Sequence, residues 1–210
     1  MDDFAVTSLA DIPCGDLCYM VAFLRAIARA RPDFEYHGAD VVEPLIRAHT
    51  IWAARPPAPV ARHLALPASQ MHFAVLDSRE QSPPPADLLF SRAMTQHLCH
   101  ADTLRVLRRF NASGAKYALL RHYPFAQWNA ELPGGCGAKA AASGAWRPQD
   151  LTAAPYLLPP PLRMYNEFED GGRAGGAIHL ALWRLPFEDW APGSWSSLPW
   201  SGQWGGVPPA

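Results

Sequence analysis

The chain has 210 residues, 22 of them proline, with a formal net charge of -1 at pH 7 and a pI near 6.7. That length suits one domain with a sizeable core, and the near-neutral balance lacks the clustered positive surface that phosphate backbones and anionic membranes require. With no run of about 18 apolar residues and no basic start leading into an apolar stretch, the expectation is a cytoplasmic protein with no nucleic-acid and no membrane partner, its oligomeric state undetermined by the sequence.

Residues 8–14 (SLADIPC) read as strand one, and 18–30 (CYMVAFLRAIARA) as a helix with Met20, Phe23, Leu24 and Ile27 on one face. Strand two follows over 35–42, ending at Asp40, then a helix over 43–54 with Pro44 in its first turn, where a missing N–H is tolerated. Residues 71–77 (MHFAVLD) read as strand three, again ending in an aspartate. After the Pro-rich loop SPPPAD come strand four (87–94), a helix over 100–110 with Asp102 near its positive end, and strand five (116–123).

Four helical crossings between five strands predict an α/β fold, a doubly wound Rossmann-like sheet. Residues 124–161, rich in Gly, Pro and Ala and without apolar period, read as a functional loop or lid. Residues 162–168 and 178–185 read as two strands pairing antiparallel, which adds a C-terminal hairpin to the mostly parallel sheet. The domain is thus expected over 1–185, with 186–210 a poorly ordered Pro/Gly/Trp-rich tail in which Trp190, Trp195, Trp200 and Trp204 have no catalytic part. The four cysteines, Cys14, Cys18, Cys99 and Cys136, show no Cys-x-x-Cys pair and no zinc-type histidine spacing. A reduced chain without a metal is expected.

Three strands in succession carry an acid at or near their ends: Asp11, Asp40 and Asp77. In doubly wound sheets ligands bind beyond the carboxyl ends of the strands, at the topological switch point. Asp40 stands 25 positions after Gly15, near the offset of about 20 at which a carboxylate receives ribose hydroxyls. Read singly, Asp11 and Asp16 serve as well as turn or helix N-cap residues, and Asp40 and Asp77 as turn formers; their shared position is what favours a site.

The stretches DIPCGD (11–16), YHGADVV (36–42), DLLFSRAMTQHL (87–98), KYALLRHY (116–123), WRPQDLTAAPYLLPPPLRMYNE (146–167) and LALWRL (180–185) resemble, in order, segments of a bacterial and algal group of class I S-adenosylmethionine-dependent methyltransferases with an Asp-x-Pro-Cys-Gly-Asp first turn. Relative to the three-glycine turn of that class, Pro13 holds the first position, Gly15 the middle one and Leu17 the third. The resemblance implies S-adenosylmethionine as cofactor, with Asp11, Gly15 and Asp16 at its amino-acid end, Asp40 on the ribose, Asp77 on the adenine amine and Ser91 facing the sulfonium. It also places Arg92 beside the sulfonium. His97, His100 and His122 stand near the same sheet edge, where a histidine titrating near neutrality suits a base for the methyl acceptor, so Arg92, His97 and His122 are the candidate catalytic residues; Asn129, Trp146, Arg147 and Glu167 are candidate contacts for a small-molecule substrate, because 124–161 is expected to fold over the site. Members of the group carry a segment ahead of strand one, for which Met1 leaves no space, so a truncated or non-catalytic binding domain is the alternative. A third reading, an NAD-dependent oxidoreductase, wants the glycines that Pro13 and Leu17 replace.

Overall fold

A computed structural model of the chain describes residues 4–55, 66–124, 126, 128–136, 144–167 and 178–192. Its elements are β1 (Ser8–Asp11), α1 (Met20–Ala30), β2 (Glu35–Asp40), α2 (Glu43–Ala54), β3 (Met71–Val75), β4 (Leu88–Ser91), α3 (His100–Asn111), β5 (Tyr117–His122), β6 (Arg163–Glu167) and β7 (Ile178–Arg184). They form one seven-stranded sheet in the order β3-β2-β1-β4-β5-β7-β6. β1 to β5 run parallel, and β7 is antiparallel to both its neighbours. The chain leaves β1 toward β2 and β3 on one side and returns to β4 on the other. The switch point of this Rossmann-like α/β sheet therefore lies between β1 and β4, where such folds hold their ligands.

The helices form where the apolar spacing matches 3.6 residues per turn. α1 buries Met20, Leu24 and Ile27. α2 starts with proline in its first turn and buries Ile46, His49 and Ala53. α3 carries Asp102 in its first turn and Arg108 and Arg109 in its last, in the sense the helix dipole favours. β4 is buried along its whole length, as a strand covered on both faces must be. One core layer gathers Leu89, Leu104, Leu107, Phe110 and Trp183, and the other Leu24, Phe34, Tyr36, Ile46 and Phe90.

Only three of the four expected crossings between β1 and β5 are helical. The connection from β3 to β4 is a loop in which Glu80 and Gln81 N–H donate to the Asp77 carbonyl, and Pro83, Pro84 and Pro85 then remove the donors a helix would need. Without a helix on that side, His72 and Ala74 of β3 remain exposed. The described part of 124–161 also differs from a covering loop: Leu132, Leu151, Tyr156 and Leu158 are buried, the last three within a core layer. Two of the four cysteines, expected to be unpaired, form a disulfide between Cys99 and Cys136, 37 residues apart with Cα atoms at 5.1 Å. Phe187 is buried and Trp190 Nε1 donates to the Tyr156 carbonyl at 2.7 Å, so the chain stays packed to that point; the rest of the expected tail lies outside the described residues. Among the described residues no helix is long and apolar enough to cross a membrane.

Candidate functional site

The turn after β1 is fixed from three directions. Gly15 N–H donates to Asp40 Oδ2 at 3.1 Å, its carbonyl accepts from His49 Nε2 at 2.7 Å, and Cys14 N–H donates to the Ala39 carbonyl at 2.9 Å. Gly15 has φ +53, and a Cβ built on it would meet no atom within 4 Å. The backbone there faces open space while both its polar groups are held, the condition for close approach of a ligand to a preset loop. Leu17, in the third glycine position, also has a left-handed backbone, φ +63, yet its side chain is buried in the core layer below.

Asp11 lies under this turn, fully buried. Tyr36 Oη donates to its Oδ2 at 2.7 Å and Tyr19 Oη to its Oδ1 at 3.1 Å. Burial pushes its pKa up to about 7, a rise to which the Asp40 charge adds and which the two tyrosine hydrogen bonds resist. The same burial, with Asp11 beside it, pushes the Cys14 thiol up to about 12. Asp16 is exposed and accepts from Cys18 N–H at 3.0 Å, the bond that holds its carboxyl below the ordinary range. Asp40 uses Oδ2 for Gly15 and Oδ1 for Val42 N–H at 3.0 Å. Asp77 is gripped by the Arg79 guanidinium, which lowers its pKa.

At the end of β4, Ser91 Oγ is buried and has no hydrogen-bond partner among the described residues. The next residue, Arg92, lays its guanidinium 5.0 Å from the centre of the Tyr19 ring and pairs with Glu167 at the end of β6. Glu167 Oε2 also accepts from Arg121 Nε of β5 at 3.1 Å, completing an ion pair. Contacts thus run from Asp11 through Tyr19, Arg92 and Glu167 to Arg121 across the sheet edge.

The remaining candidates make contacts within the chain. His122 is buried edge-on to Trp183, and its Nδ1 accepts from Leu151 N–H at 3.2 Å. Burial lowers its pKa and keeps it neutral. Asn129 holds the loop, donating to the Asp150 and Ala154 carbonyls and accepting from Asp150 N–H. Arg147 is buried, donating to the Leu98 carbonyl at 2.8 Å and Tyr156 Oη at 2.9 Å. These two side chains expected to face a substrate instead tie 144–158 to the core. His97 is exposed with Nδ1 donating to the Ala145 carbonyl, and Trp146 is half exposed against Tyr123. The sequence did not single out His49, Tyr19 or Tyr36; the one signal was a histidine on the apolar face of α2.

No family model and no curated protein matches the chain. Solved structures do. The mitomycin 7-O-methyltransferase MmcR aligns with a TM-score of 0.55 at 16% identity, over 88% of this chain and 51% of that one. The O-methyltransferase NcsB1 from neocarzinostatin biosynthesis, in complex with S-adenosylmethionine and 2-hydroxy-5-methyl naphthoic acid, aligns at 0.53 and 14%, over 86% and 50%. Magnesium protoporphyrin IX methyltransferase ChlM from Synechocystis, with bound S-adenosylhomocysteine, aligns at 0.53 and 12%, over 85% and 74%. What the chain shares with these structures is the Rossmann-like α/β fold. This chain spans about half the length of the first two.

Proposed function

We propose that the chain is a class I methyltransferase domain that binds S-adenosylmethionine across Gly15 and directs methyl transfer to a small-molecule acceptor. The observation that carries this reading is the Gly15 turn. It stands at the switch point of the sheet, its N–H and carbonyl are held by Asp40 and His49, and the space where a side chain would project is open. The charge at this edge suits a cationic nucleoside: with Asp77 paired to Arg79 and Asp11 buried, the Asp16 and Asp40 carboxylates beside Gly15 would repel the two phosphates of NAD and attract a sulfonium and an ammonium.

In this reading Asp40, with lone pairs beyond those given to Gly15 and Val42, takes the ribose hydroxyls. Asp16 lies toward the ammonium and Asp77 toward the adenine. Ser91 Oγ, buried and unpartnered, is a polar atom that a ligand at the β1–β4 edge would satisfy. When bound, the cofactor supplies a methyl group on a positively charged sulfur, so the protein's contribution is chiefly placement of the acceptor. Arg92, held by Glu167, and the exposed Trp146 border the acceptor side. His97, whose Nδ1 donates to the Ala145 carbonyl and whose Nε2 lies 3.4 Å from the Gln96 side-chain amide, is the candidate base on that side.

Calorimetric titration with S-adenosylmethionine, S-adenosylhomocysteine and NAD tests the proposal. Binding of the first two and not the third is expected. NAD binding, or no binding by any of the three at millimolar concentration, would overturn it.

A further inference from the structure

At the opposite end of β2 from the Gly15 turn, three potential metal ligands meet. His37 of β2 and His72 of β3 face each other in the parallel register, their rings stacked with centroids 4.7 Å apart. Glu35 precedes His37 by two residues and so lies on the same side of the sheet. Its Oε2 is 3.6 Å from His37 Nε2 and 3.4 Å from His72 Nε2, and one ligand atom from each residue falls within 4.8 Å of the others. Glu35 and Asp40 stand at opposite ends of the six-residue strand β2, five rises or about 16 Å apart, so this group is distinct from the proposed cofactor site.

We propose that Glu35, His37 and His72 form a surface binding site for a divalent transition cation, Zn2+ in the first instance. Ligands about 2.0–2.1 Å from a tetrahedral zinc stand about 3.3 Å apart, so the carboxylate oxygen is already near the edge length of such a site. Those separations exceed the 2.7–3.2 Å of ordinary N–H···O bonds: the carboxylate sits between two imidazole nitrogens at a distance suited to a shared ion. Two imidazoles select against Mg2+ and Ca2+, which take oxygen ligands. The parallel ladder between β2 and β3 fixes both histidine backbones, and His72 is exposed, with no helix among the described residues over this face of β3, so the remaining coordination position is open to water or an external ligand. Because β3 is the edge strand, an ion here ties that edge to β2.

The test uses the full chain with Cys18→Ser, which removes the exposed thiol as a competing zinc ligand. Zn2+ is titrated against a chromogenic chelator, and thermal unfolding is followed with and without the ion. One Zn2+ per chain at micromolar concentration is expected, with a higher Tm when it is bound. His72→Ala and Glu35→Gln, both at exposed positions, should each weaken binding at least about tenfold and abolish the Tm rise while leaving the ion-free circular dichroism spectrum unchanged. Stoichiometric binding that survives His72→Ala, or no binding below millimolar Zn2+, would overturn the site.

Discussion

Replacing Gly15 by alanine adds one methyl group where the backbone meets open space, and thereby separates stability from binding. Without ligand, the new Cβ touches nothing within 4 Å, so the penalty is the left-handed backbone at φ +53 alone. That conformation costs an L-residue about 1–2 kcal/mol, and the lower entropy of an unfolded chain with alanine returns about 0.4–1. The net loss is about 1 kcal/mol, a fall in Tm of about 2–4 °C for a domain of this size. A cofactor lying across the turn would meet the methyl directly, and affinity for S-adenosylhomocysteine should drop at least tenfold, about 1.4 kcal/mol. Gly38→Ala supplies the contrast: its Cβ would stand 2.8 Å from Phe73 Cδ1 and Cε1. That overpacking costs about 1–3 kcal/mol but leaves the open edge untouched. Scanning calorimetry and isothermal titration of both variants read the two effects. An unchanged affinity in folded Gly15→Ala would refute the placement of the cofactor over this turn.

Asp40→Ala removes the acceptor for Gly15 and Val42 N–H as well as the proposed ribose contact. Charge-assisted bonds are worth about 1.5–3 kcal/mol each, so S-adenosylhomocysteine affinity should fall at least about tenfold by titration, and an unchanged value would remove Asp40 from the site. Asp11 has a folded pKa of about 7 against 3.8 for the free side chain, so the native state holds its proton more tightly. The stability this gives is fully present below about pH 3.8 and is lost as pH rises to about 7, up to ~4 kcal/mol. Asp11→Asn should therefore be more stable than the parent at pH 8 and gain less at pH 5 in urea unfolding. Equal destabilisation at both pH values would mean that Asp11 is ionised in the native state at neutral pH. Leu17→Gly relieves a left-handed backbone that Leu17→Ala retains, while both lose the buried isopropyl end of the side chain. The glycine variant should be the more stable by about 1 kcal/mol, the reverse of the usual order, and a glycine variant less stable than the alanine one would contradict the assigned backbone.

The parts of the fold legible in the sequence were those fixed by local chemistry. Pro44 opening an amphipathic run placed α2 at its observed bounds, and the all-apolar LLF of β4 marked a central strand. The Gly-rich spacer between two apolar runs gave the antiparallel pair of β6 and β7. What escaped depends on contacts between distant residues. His49 reaches Gly15 across 34 positions, and Cys99 reaches Cys136 across 37; no spacing rule connects either pair. Asn129, Arg147 and His122 carry polar groups that suit a ligand as well as a backbone, and only the folded chain brings them to the backbone groups of Asp150 and Ala154, Leu98 and Leu151 that they bond. The missing helix between β3 and β4 was signalled by three successive prolines, and its consequence, the open face at His72, appears only once the parallel register sets His37 beside it.

A crystal structure of the chain soaked with or grown in S-adenosylhomocysteine decides where the cofactor sits. The ligand is expected over Gly15 at the carboxyl ends of β1 and β4, its ribose hydroxyls within hydrogen-bonding distance of the Asp40 carboxylate. Ligand bound elsewhere on the sheet, or a Gly15 edge left empty at ligand concentrations that saturate the protein in solution, would contradict that placement.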